Sequence, residues 1–551
     1  MSASGIARLA ARRGAAITER LSAGPPSLPD PSSLPLLDIS VVTFNSARWV
    51  DGFVASLLGQ RYPPDKIRLI VVDHGSTDDT AGRLEDAARR HGAGLRGFEI
   101  HRRPNRGFGA GHNFALRRSE TPLALVSNVD IEFEPDALVR AVAQAQTDAA
   151  DVVSWEFRQK PYEHPRYYDP VTLETQCSSH ACVLLRRSAV AEVGGYDERI
   201  FMYGEDIELS FRLRDRGYRL AYSPGAVVWH YWYDPADPVK PLQFFGSRLA
   251  DAYIRLRYGS AADIRAIPDR FARLWRETAW MPARQALFAR TAASLLANAP
   301  FFLFRRRRSR IPFPFSGDQY ALEREGAFCA CRKEADGAGA LLVSVIVRTA
   351  RGRRPWLQEC LATILNQTYP HIEIALVEAG SMTLEEEAAR WRAASAAPVV
   401  YDATADPSPA AAANRGLALA SGRLLMIVDD GALLFADHVE SLVSELGAHP
   451  DSRAACAFAW RAAAKRAAEG ECFVETAHAK PPGCRPPFDP SAFGGEGPFP
   501  NQAVLFRREL YEALGGLNPA AGAACDVEFW TRCREAGDFA FVEKTTSITR
   551  R

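Results

Sequence analysis

An internal repeat is the feature that most constrains how this chain can fold, because the same series of patterns occurs once in each half of its 551 residues. Each half contains two apolar runs, the second ending at an acidic residue, and later a paired glycine followed by an acidic helix start. A repeat of this size predicts two similar domains in tandem. The corresponding segments are 39–43 with 343–347, 60–63 with 367–370, 72–76 with 377–381, 194–197 with 515–518, and Arg212 with Arg532.

Apolar runs alternate with helical patterns along the first half. A helical pattern at 48–58 separates the first two runs, and another follows the second run. Alternation of this kind predicts βαβ units and a parallel sheet in an α/β fold. The predicted strands are 36–44, 67–72, 123–126, 218–222 and 226–228.

The segments between these patterns predict the domain boundaries. A mixed apolar and arginine-rich stretch at 271–304 is predicted to be helical. The predicted order is an N-terminal helix with a proline-rich spacer at 1–35, a first α/β domain at 36–260, a helical and basic linker at 261–340, and a second α/β domain at 341–551.

Composition narrows the class of protein. The formal net charge of +1 argues against a broad nucleic-acid-binding surface, and 47% hydrophobic residues is ordinary for a globular protein. No uninterrupted apolar run is long enough to predict a membrane span. Ten cysteines without metal-type spacing indicate reduced, mostly buried thiols, so a cytoplasmic location is expected.

Polar residues follow the first two predicted strands. Thr43 and Asn45 come at the end of one strand, and Asp73 and Ser76 come at the end of the next. Ligands of open α/β sheets bind at the carboxyl ends of the strands. These four residues are therefore candidates for a ligand site.

A glycine-rich stretch comes next. Asn105 precedes Gly107, Gly109 and Gly111, and these glycines would let the backbone approach a ligand before a helix that is predicted to begin near His112. A dinucleotide-binding fold is the alternative, but its glycines follow the first strand directly. Here two strand–helix units precede them.

Two further strand ends carry possible metal ligands. Asn128 and Asp130 follow one predicted strand, and their oxygens suit Mg²⁺ or Mn²⁺. His230 follows another strand and could assist a metal or a phosphate. The alternatives are an ordinary turn and a structural histidine.

The stretch 194–212 combines a paired glycine, several aromatic residues and the acidic pair Glu205–Asp206 at a helix start. A carboxylate held beside apolar walls can serve as a general base. The alternative is a helix-capping role, because acidic residues suit the positive end of a helix dipole.

Taken in order, these motifs resemble those of the family 2 glycosyltransferases, the inverting enzymes of the GT-A fold, over residues 36–260. The resemblance implies a nucleotide-sugar donor, a divalent metal (Mg²⁺ or Mn²⁺) and a glycan or lipid-linked glycan acceptor of bacterial surface polysaccharide synthesis. It makes Asp206 the catalytic base and Asp130 and His230 the metal site. The form of the metal and glycine motifs is similar to the rhamnosyltransferase-like branch, which suggests dTDP-rhamnose. The nucleotide-sugar-binding residues implied are Thr43, Asn45, Asp73, Ser76, Asn105, Gly107, Asn128 and Glu205.

The second half lacks part of this chemistry. Gly431 stands where Asp130 stands in the first half, Glu378 replaces Asp73, and Cys525 replaces Glu205. Asp429 and Asp430 could hold a metal only if the register shifts. A degenerate GT-A domain with a packing or acceptor-binding role is expected; the alternatives are a second active transferase and a non-catalytic nucleotide-sugar-binding scaffold.

The end of the predicted linker helix is apolar and aromatic and is followed by a basic cluster, residues 301–310. Such a segment suits peripheral contact with an anionic membrane, where a lipid-linked acceptor would be found. The alternative is an interdomain helix with a solvated arginine face.

Overall fold

The computed structural model describes residues 3–24, 27–163, 166–231, 241–306, 309–315, 323–324, 326, 341–467, 472–479 and 500–550. Parts of the predicted spacer (25–26) and of the basic linker (307–308 and most of 316–340) lie outside these residues. The chain forms two compact units: residues 28–168 with 174–323, here the first domain, and residues 1–27, 169–173 and 324–551, here the second domain.

Helices and strands alternate in both domains. The helices are α1 Ala3–Ala23, α2 Ala47–Leu58, α3 Thr80–His91, α4 Phe108–Arg118, α5 Ala137–Thr147, α6 Arg187–Val193, α7 Glu205–Arg216, α8 Pro241–Tyr258, α9 Ala261–Arg265, α10 Ile267–Glu277, α11 Arg284–Phe304, α12 Arg354–Leu365, α13 Glu385–Ala394, α14 Pro409–Leu419, α15 His438–Ala448, α16 Arg508–Leu514 and α17 Cys525–Glu535. The strands are β1 Leu37–Thr43, β2 Ile67–Asp73, β3 Gly97–Arg102, β4 Leu123–Ser127, β5 Ile131–Phe133, β6 Val152–Lys160, β7 Glu174–Thr175, β8 Cys182–Arg186, β9 Arg219–His230, β10 Val343–Ala350, β11 Ile372–Ala379, β12 Val399–Thr404, β13 Leu424–Asp429, β14 Ala432–Leu434, β15 Ala454–Arg466, β16 Phe473–Ala479, β17 Val504–Arg507 and β18 Phe539–Arg550.

The sheet of the first domain has the order β3-β2-β1-β4-β8-β6-β9-β5, with β7 paired to β9. Strands β1 to β4 are parallel, as predicted, but β8 runs antiparallel to β4 and β6, so the sheet is mixed rather than parallel. The reason is that the described residues between β6 and β8 contain no helix, and a parallel pair needs such a crossover.

Three expected boundaries differ in the structure. The stretch 271–304, expected to be helical throughout, forms two helices, α10 and α11, separated by residues 278–283. Helix α4 begins at Phe108 instead of near His112. The two short strands expected at 218–222 and 226–228 are a single strand, β9, because its pairing with β6 continues past Gly225 through a register shift. The other predicted strands and the helix at 48–58 are confirmed to within one or two residues.

Apolar side chains cover both faces of the first sheet. Ile39 and Val41 of β1 pack with Phe53 of α2 on one face. On the other face, Leu209 and Leu213 of α7 join a cluster that is built on β4 and β8. Because successive strand residues point to opposite faces, one strand serves both clusters. Helix α7 is thereby held against β4 and β8.

The second domain repeats the arrangement. Its strand order is β12-β11-β10-β13-β17-β15-β18-β14, which matches the first sheet strand for strand, and β16 pairs with β15 instead of occupying the place of β7. The predicted internal repeat is therefore a repeat of the whole sheet.

One described helix, α11, is long and apolar enough by length and composition alone to cross a membrane. Only 11% of the most apolar 18-residue segment of this helix is buried in the structure. The expectation that no apolar stretch reaches this length is therefore wrong for 284–304.

Helix α1 contributes a buried charge to the second domain. The Arg13 guanidinium is fully buried and donates to Glu475 at 2.7 Å, to Asp169 at 2.5 Å and to the Phe473 carbonyl at 2.6 Å. A buried ion pair from which one partner is removed leaves an uncompensated charge, which is strongly destabilising.

Arg13→Ala is therefore expected to lower the free energy of unfolding of the second domain by about 3–5 kcal/mol. Arg12→Ala, which alters the exposed neighbouring position, is the matched control and should stay within about 0.5 kcal/mol of the wild type. Urea unfolding followed by tryptophan fluorescence measures both variants. Equal stabilities would contradict a structural role for the buried guanidinium.

Candidate active site

The ends of β1 and β2 are joined by side-chain hydrogen bonds. Asp73 is buried, and its carboxylate accepts from the Thr43 hydroxyl at 3.0 Å and from the Ser76 backbone N–H at 3.1 Å. The Ser76 hydroxyl accepts from the Asn45 backbone N–H at 2.9 Å, and Asn45 has a left-handed backbone with φ 50°. The four residues that the sequence predicts for a nucleotide pocket therefore form one connected group.

The glycine-rich stretch packs closely against another loop of the same domain. Gly107 has φ 94°, and a Cβ there would lie 2.2 Å from the Phe201 carbonyl oxygen, which also accepts from the Phe108 N–H at 3.0 Å. The Asn105 side chain accepts from the Gly107 N–H at 3.0 Å. Gly109 packs in the same way against Tyr196. These contacts fix the glycine stretch beside the loop that leads into α7.

The paired glycine before α7 is clamped from two sides. The Asn113 side chain donates to the Tyr196 carbonyl at 2.9 Å and accepts from the Tyr196 N–H at 2.8 Å. Arg212 donates to the carbonyls of Val193 and Gly195, both at 2.6 Å. We call these contacts the glycine clamp. Asn414 and Arg532 make the same contacts around Leu514, Gly516 and Leu517 in the second domain, which confirms the predicted equivalence of Arg212 and Arg532.

Asp130 and His230 meet at the far side of the same sheet edge, because β5 pairs with β9. Both side chains are buried, and His230 Nε2 lies 3.5 Å from Asp130 Oδ1. The Gln159 oxygen lies 2.8 Å from His230 Nδ1, and Nε2, which carries the lone pair in the tautomer with a proton on Nδ1, faces Asp130. Burial alone would raise the pKa of Asp130, but His230 and a hydrogen bond from Asn128 lower it below the usual value.

A carboxylate and an imidazole lone pair that face each other suit a divalent cation. Within the described residues, no group of three or more His, Cys, Asp or Glu side chains is arranged to hold a metal. Mg²⁺ typically uses one or two carboxylates and completes its shell with substrate phosphates and water. Asp130, His230 and Asn128 therefore fit a metal that binds together with a diphosphate.

Glu205 and Asp206 lie in the first turn of α7, as the sequence predicts. Burial, together with the neighbouring Asp206 carboxylate, raises the pKa of Glu205 to about 8. Glu205 Oε2 has no hydrogen-bond partner in the described part of the chain. Asp206 accepts from the Ile207 N–H at 2.8 Å, and its second oxygen lies 3.4 Å from Arg166 Nη2. The two carboxyl groups therefore have different environments.

Sequence reasoning missed the residues that connect the metal side to Asp206. On β6, Gln159 contacts His230 and donates to the Ser179 hydroxyl at 3.2 Å, while Glu156 accepts from the Ser179 N–H. Arg166, which pairs with Asp206, also interacts electrostatically with Glu156. We call the series His230, Gln159, Ser179, Glu156, Arg166 and Asp206 the β6 relay. A glutamate and a glutamine at buried positions of β6 were the available signal.

The comparisons with known proteins agree with these motifs. The model of the family described as "Glycosyl transferase family 2" matches residues 38–194 and 344–512, more than half of the chain. The chain belongs to this family. It is a family 2 glycosyltransferase with two tandem α/β domains of the GT-A type, so the predicted fold class and enzyme class are confirmed.

Individual relatives match over parts of the chain. An N-acetylglucosaminyl-diphospho-decaprenol L-rhamnosyltransferase of Mycobacterium tuberculosis is 51% identical over 53 residues, which cover 10% of this chain and 17% of that protein. An N-acetylglucosaminyltransferase of Azorhizobium caulinodans is 24% identical over 35% of this chain and 54% of its own length. The matches thus span about a sixth to about half of these relatives.

Among solved structures, a mannosyltransferase from Pyrobaculum calidifontis in complex with GDP-Man and Mn²⁺ is 19% identical, with a TM-score of 0.35. The match covers 54% of this chain and 93% of that one.

Burial of Glu156 makes the stability of the first domain depend on pH. Burial raises the pKa of Glu156 to about 8, whereas an unfolded glutamate ionises near its ordinary value of 4.5. Unfolding therefore releases a proton between these values, and the stability contributed by the neutral carboxyl is lost as the pH rises through about 8.

Glu156→Gln should match the wild type in free energy of unfolding near pH 5 and exceed it near pH 8.5, because the neutral amide cannot ionise. Glu85→Gln, at an exposed position of α3, should show no such pH-dependent difference. Urea unfolding at both pH values measures the effect. A stability difference that is independent of pH would contradict the neutral state of Glu156.

Proposed function

We propose that the first domain, in residues 36–260, transfers a sugar from a nucleoside-diphosphate donor to a hydroxyl group of a glycan, with inversion at the anomeric carbon. The observation that carries this proposal is the joint presence, in one domain, of the Asp130–His230 pair and of Asp206 at the α7 start, connected through the β6 relay. The Asp130–His230 pair is suited to the leaving diphosphate, and Asp206 is suited to the attacking hydroxyl.

The donor is bound along the sheet edge. Thr43, Asn45, Asp73 and Ser76 line the nucleoside side, and their mutual hydrogen bonds hold the two loops in place before the donor binds. Asn105 and Gly107 extend this edge towards α7, and Glu205 lies at the sugar end. Preformed loops reduce the ordering cost of binding.

Asp130, Asn128 and His230 would hold a divalent cation, Mg²⁺ or Mn²⁺. The bound cation supplies positive charge to the departing diphosphate and removes the need for a proton donor there. Gln159 orients His230 for this role through its ring Nδ1.

Asp206 is the base. The acceptor oxygen forms a bond to the anomeric carbon while the bond from that carbon to the diphosphate oxygen breaks, and the hydroxyl proton passes to the Asp206 carboxylate. Attack opposite the leaving group inverts the carbon. Arg166 Nη2 lies 3.4 Å from one Asp206 oxygen, and the Ile207 N–H at the helix start donates to the other.

The relatives support a role in bacterial glycan synthesis. Besides the rhamnosyltransferase, they include an O-antigen biosynthesis protein of Myxococcus xanthus, 26% identical over 22% of this chain. We propose dTDP-rhamnose as the first donor to test, and a glycan or lipid-linked glycan of the cell surface as acceptor. The expected location is the cytoplasm, with peripheral contact at the inner face of the membrane.

Paired variants separate the two centres. Asp206→Asn is expected to lower turnover by about two orders of magnitude or more, because the amide cannot accept a proton, while donor binding is retained. Asp130→Ala should lose metal-dependent donor binding as well as turnover. Asp526→Asn, at the equivalent position of the second domain, is the control and should keep the wild-type rate on a defined acceptor.

Release of nucleoside diphosphate from a panel of donors with Mg²⁺ or Mn²⁺ measures turnover, and calorimetry measures donor binding. Full activity of Asp130→Ala, or of the wild type in excess chelator, would refute the metal assignment. A two-sugar product that stops at one sugar in Asp526→Asn would show that both domains transfer sugar.

Contact with the membrane is supported by the surface of α11. Leu296 is 75% exposed and Phe304 is 90% exposed, and Arg305 lies directly after the helix end. Exposed apolar side chains beside arginines suit the headgroup region of an anionic bilayer. Phe302 of the same helix is buried, so the helix is anchored to the domain while its other face is free.

Leu296→Glu with Phe304→Glu should reduce binding to vesicles that contain anionic lipid, because it removes apolar area and adds negative charge. Met382→Glu, which alters an exposed apolar residue 67% accessible elsewhere in the chain, is the matched control. Co-sedimentation with vesicles at low and high salt measures binding. Equal binding by both variants would leave α11 as a helix that serves the fold alone.

A further inference from the structure

We infer that the second domain has replaced the divalent cation with its own side chain, the guanidinium of Arg348, and therefore binds no metal at this place. The inference rests on the proposed function only in taking the Asp130 position of the first domain as the metal site. It concerns residues of the second domain alone.

Strand register defines the equivalent positions. Thr349 pairs with Glu378 as Thr43 pairs with Asp73, so Arg348 corresponds to Val42. Ala432 pairs with Thr549 as Ile131 pairs with His230. Of the three proposed metal ligands, Asn128 corresponds to Asp429, whereas Asp130 and His230 are replaced by residues that cannot ligate through a carboxylate or an imidazole. The replacements are Gly431 for Asp130 and Thr549 for His230.

The Arg348 guanidinium spans the gap between the strand ends and the helix start. Its Nε donates to Asp429 at 2.5 Å, and its two terminal nitrogens donate to the two oxygens of Asp526 at 2.9 and 2.6 Å. The side chain is 7% exposed. Asp526 corresponds to the proposed base Asp206, so one internal cation contacts both Asp429, at the strand end that precedes the metal position, and the counterpart of the base.

The remaining carboxylate, that of Asp430, is also paired with a cation. Asp430 accepts from Arg353 Nε at 2.9 Å, from Arg353 Nη2 at 2.7 Å and from the Thr349 hydroxyl at 2.7 Å. Asn501 donates to the second oxygen of Asp429 at 3.1 Å. Each carboxylate near this place therefore has a cationic partner, and a divalent ion would have to displace a bidentate guanidinium.

Charge explains why this arrangement persists. Three carboxylates at a sheet edge repel one another, and a bound cation or an internal one can compensate them. In the first domain Val42 is apolar, and the cation must come from solution. In the second domain Arg348 supplies it permanently. A bound metal ion can dissociate together with the diphosphate product, whereas the Arg348 guanidinium always remains in the site.

Metal binding by the intact protein tests the inference. We expect Asp130→Ala to bind no Mn²⁺, measured by electron paramagnetic resonance and calorimetry with and without a nucleoside diphosphate. The double variant Asp130→Ala/Arg348→Val, which restores the residue of the first domain, should gain one Mn²⁺ per chain. Arg348→Met keeps the apolar stem and replaces Arg348→Val if circular dichroism shows that the latter does not fold.

Two results would overturn the inference. One is Mn²⁺ that remains bound to Asp130→Ala and is lost on further change of Asp429→Asn and Asp430→Asn. The other is a folded Arg348 variant that gains no Mn²⁺. If the wild type itself binds no Mn²⁺, the proposed metal site of the first domain fails, while a gain of Mn²⁺ by the Arg348 variant still supports the inference.

Discussion

The glycine clamp is the interaction on which the rest of the catalytic edge depends. Asn113 and Arg212 satisfy backbone groups of the turn before α7, and this turn sets where the helix starts. Buried backbone groups need partners, and a tight turn leaves several without any. Because the clamp joins α4 to α7, it also determines how far Asp206 lies from the strand ends. The second domain keeps this clamp, although it has Gly431 and Thr549 in place of Asp130 and His230.

The two domains thus separate the requirements of the fold from those of the chemistry. Sheet order, the clamp and the hydrogen-bonded acid at the end of the second strand are common to both; Glu378 accepts from Ser381, Thr383 and Tyr401, as Asp73 accepts from its own loop. These contacts are local or lie within one sheet. What differs is the side chain placed between the strand ends and the acidic helix start, which is the apolar Val42 in the first domain and the cationic Arg348 in the second.

Strand ends were predictable from the sequence because apolar runs of about strand length bound them. Thr43, Asp73 and Asp130 lie where those runs end. The glycine stretch was predictable as a close approach, but the approached surface was not, since Phe201 comes from a distant loop. The β6 relay was missed because its members come from separate segments of the chain, although residues 153–158 of β6 alternate between apolar and polar side chains. Arg348 was visible in an apolar run, yet its partner Asp526 is 178 residues away.

The pairing of β5 with β9 has a consequence for the order in which the domain is assembled. Glu132 and Tyr231, which hydrogen-bond across this pair, are 99 residues apart, whereas Thr43 and Asp73 are 30 apart. Closing the longer loop costs more entropy and depends on contacts that form late. On the ribosome, the hydrogen-bonded group at the ends of β1 and β2 can therefore form while Asp130 still lacks His230. The residues proposed to bind the nucleoside would then be in place before the proposed metal pair, which the last strand of the sheet completes.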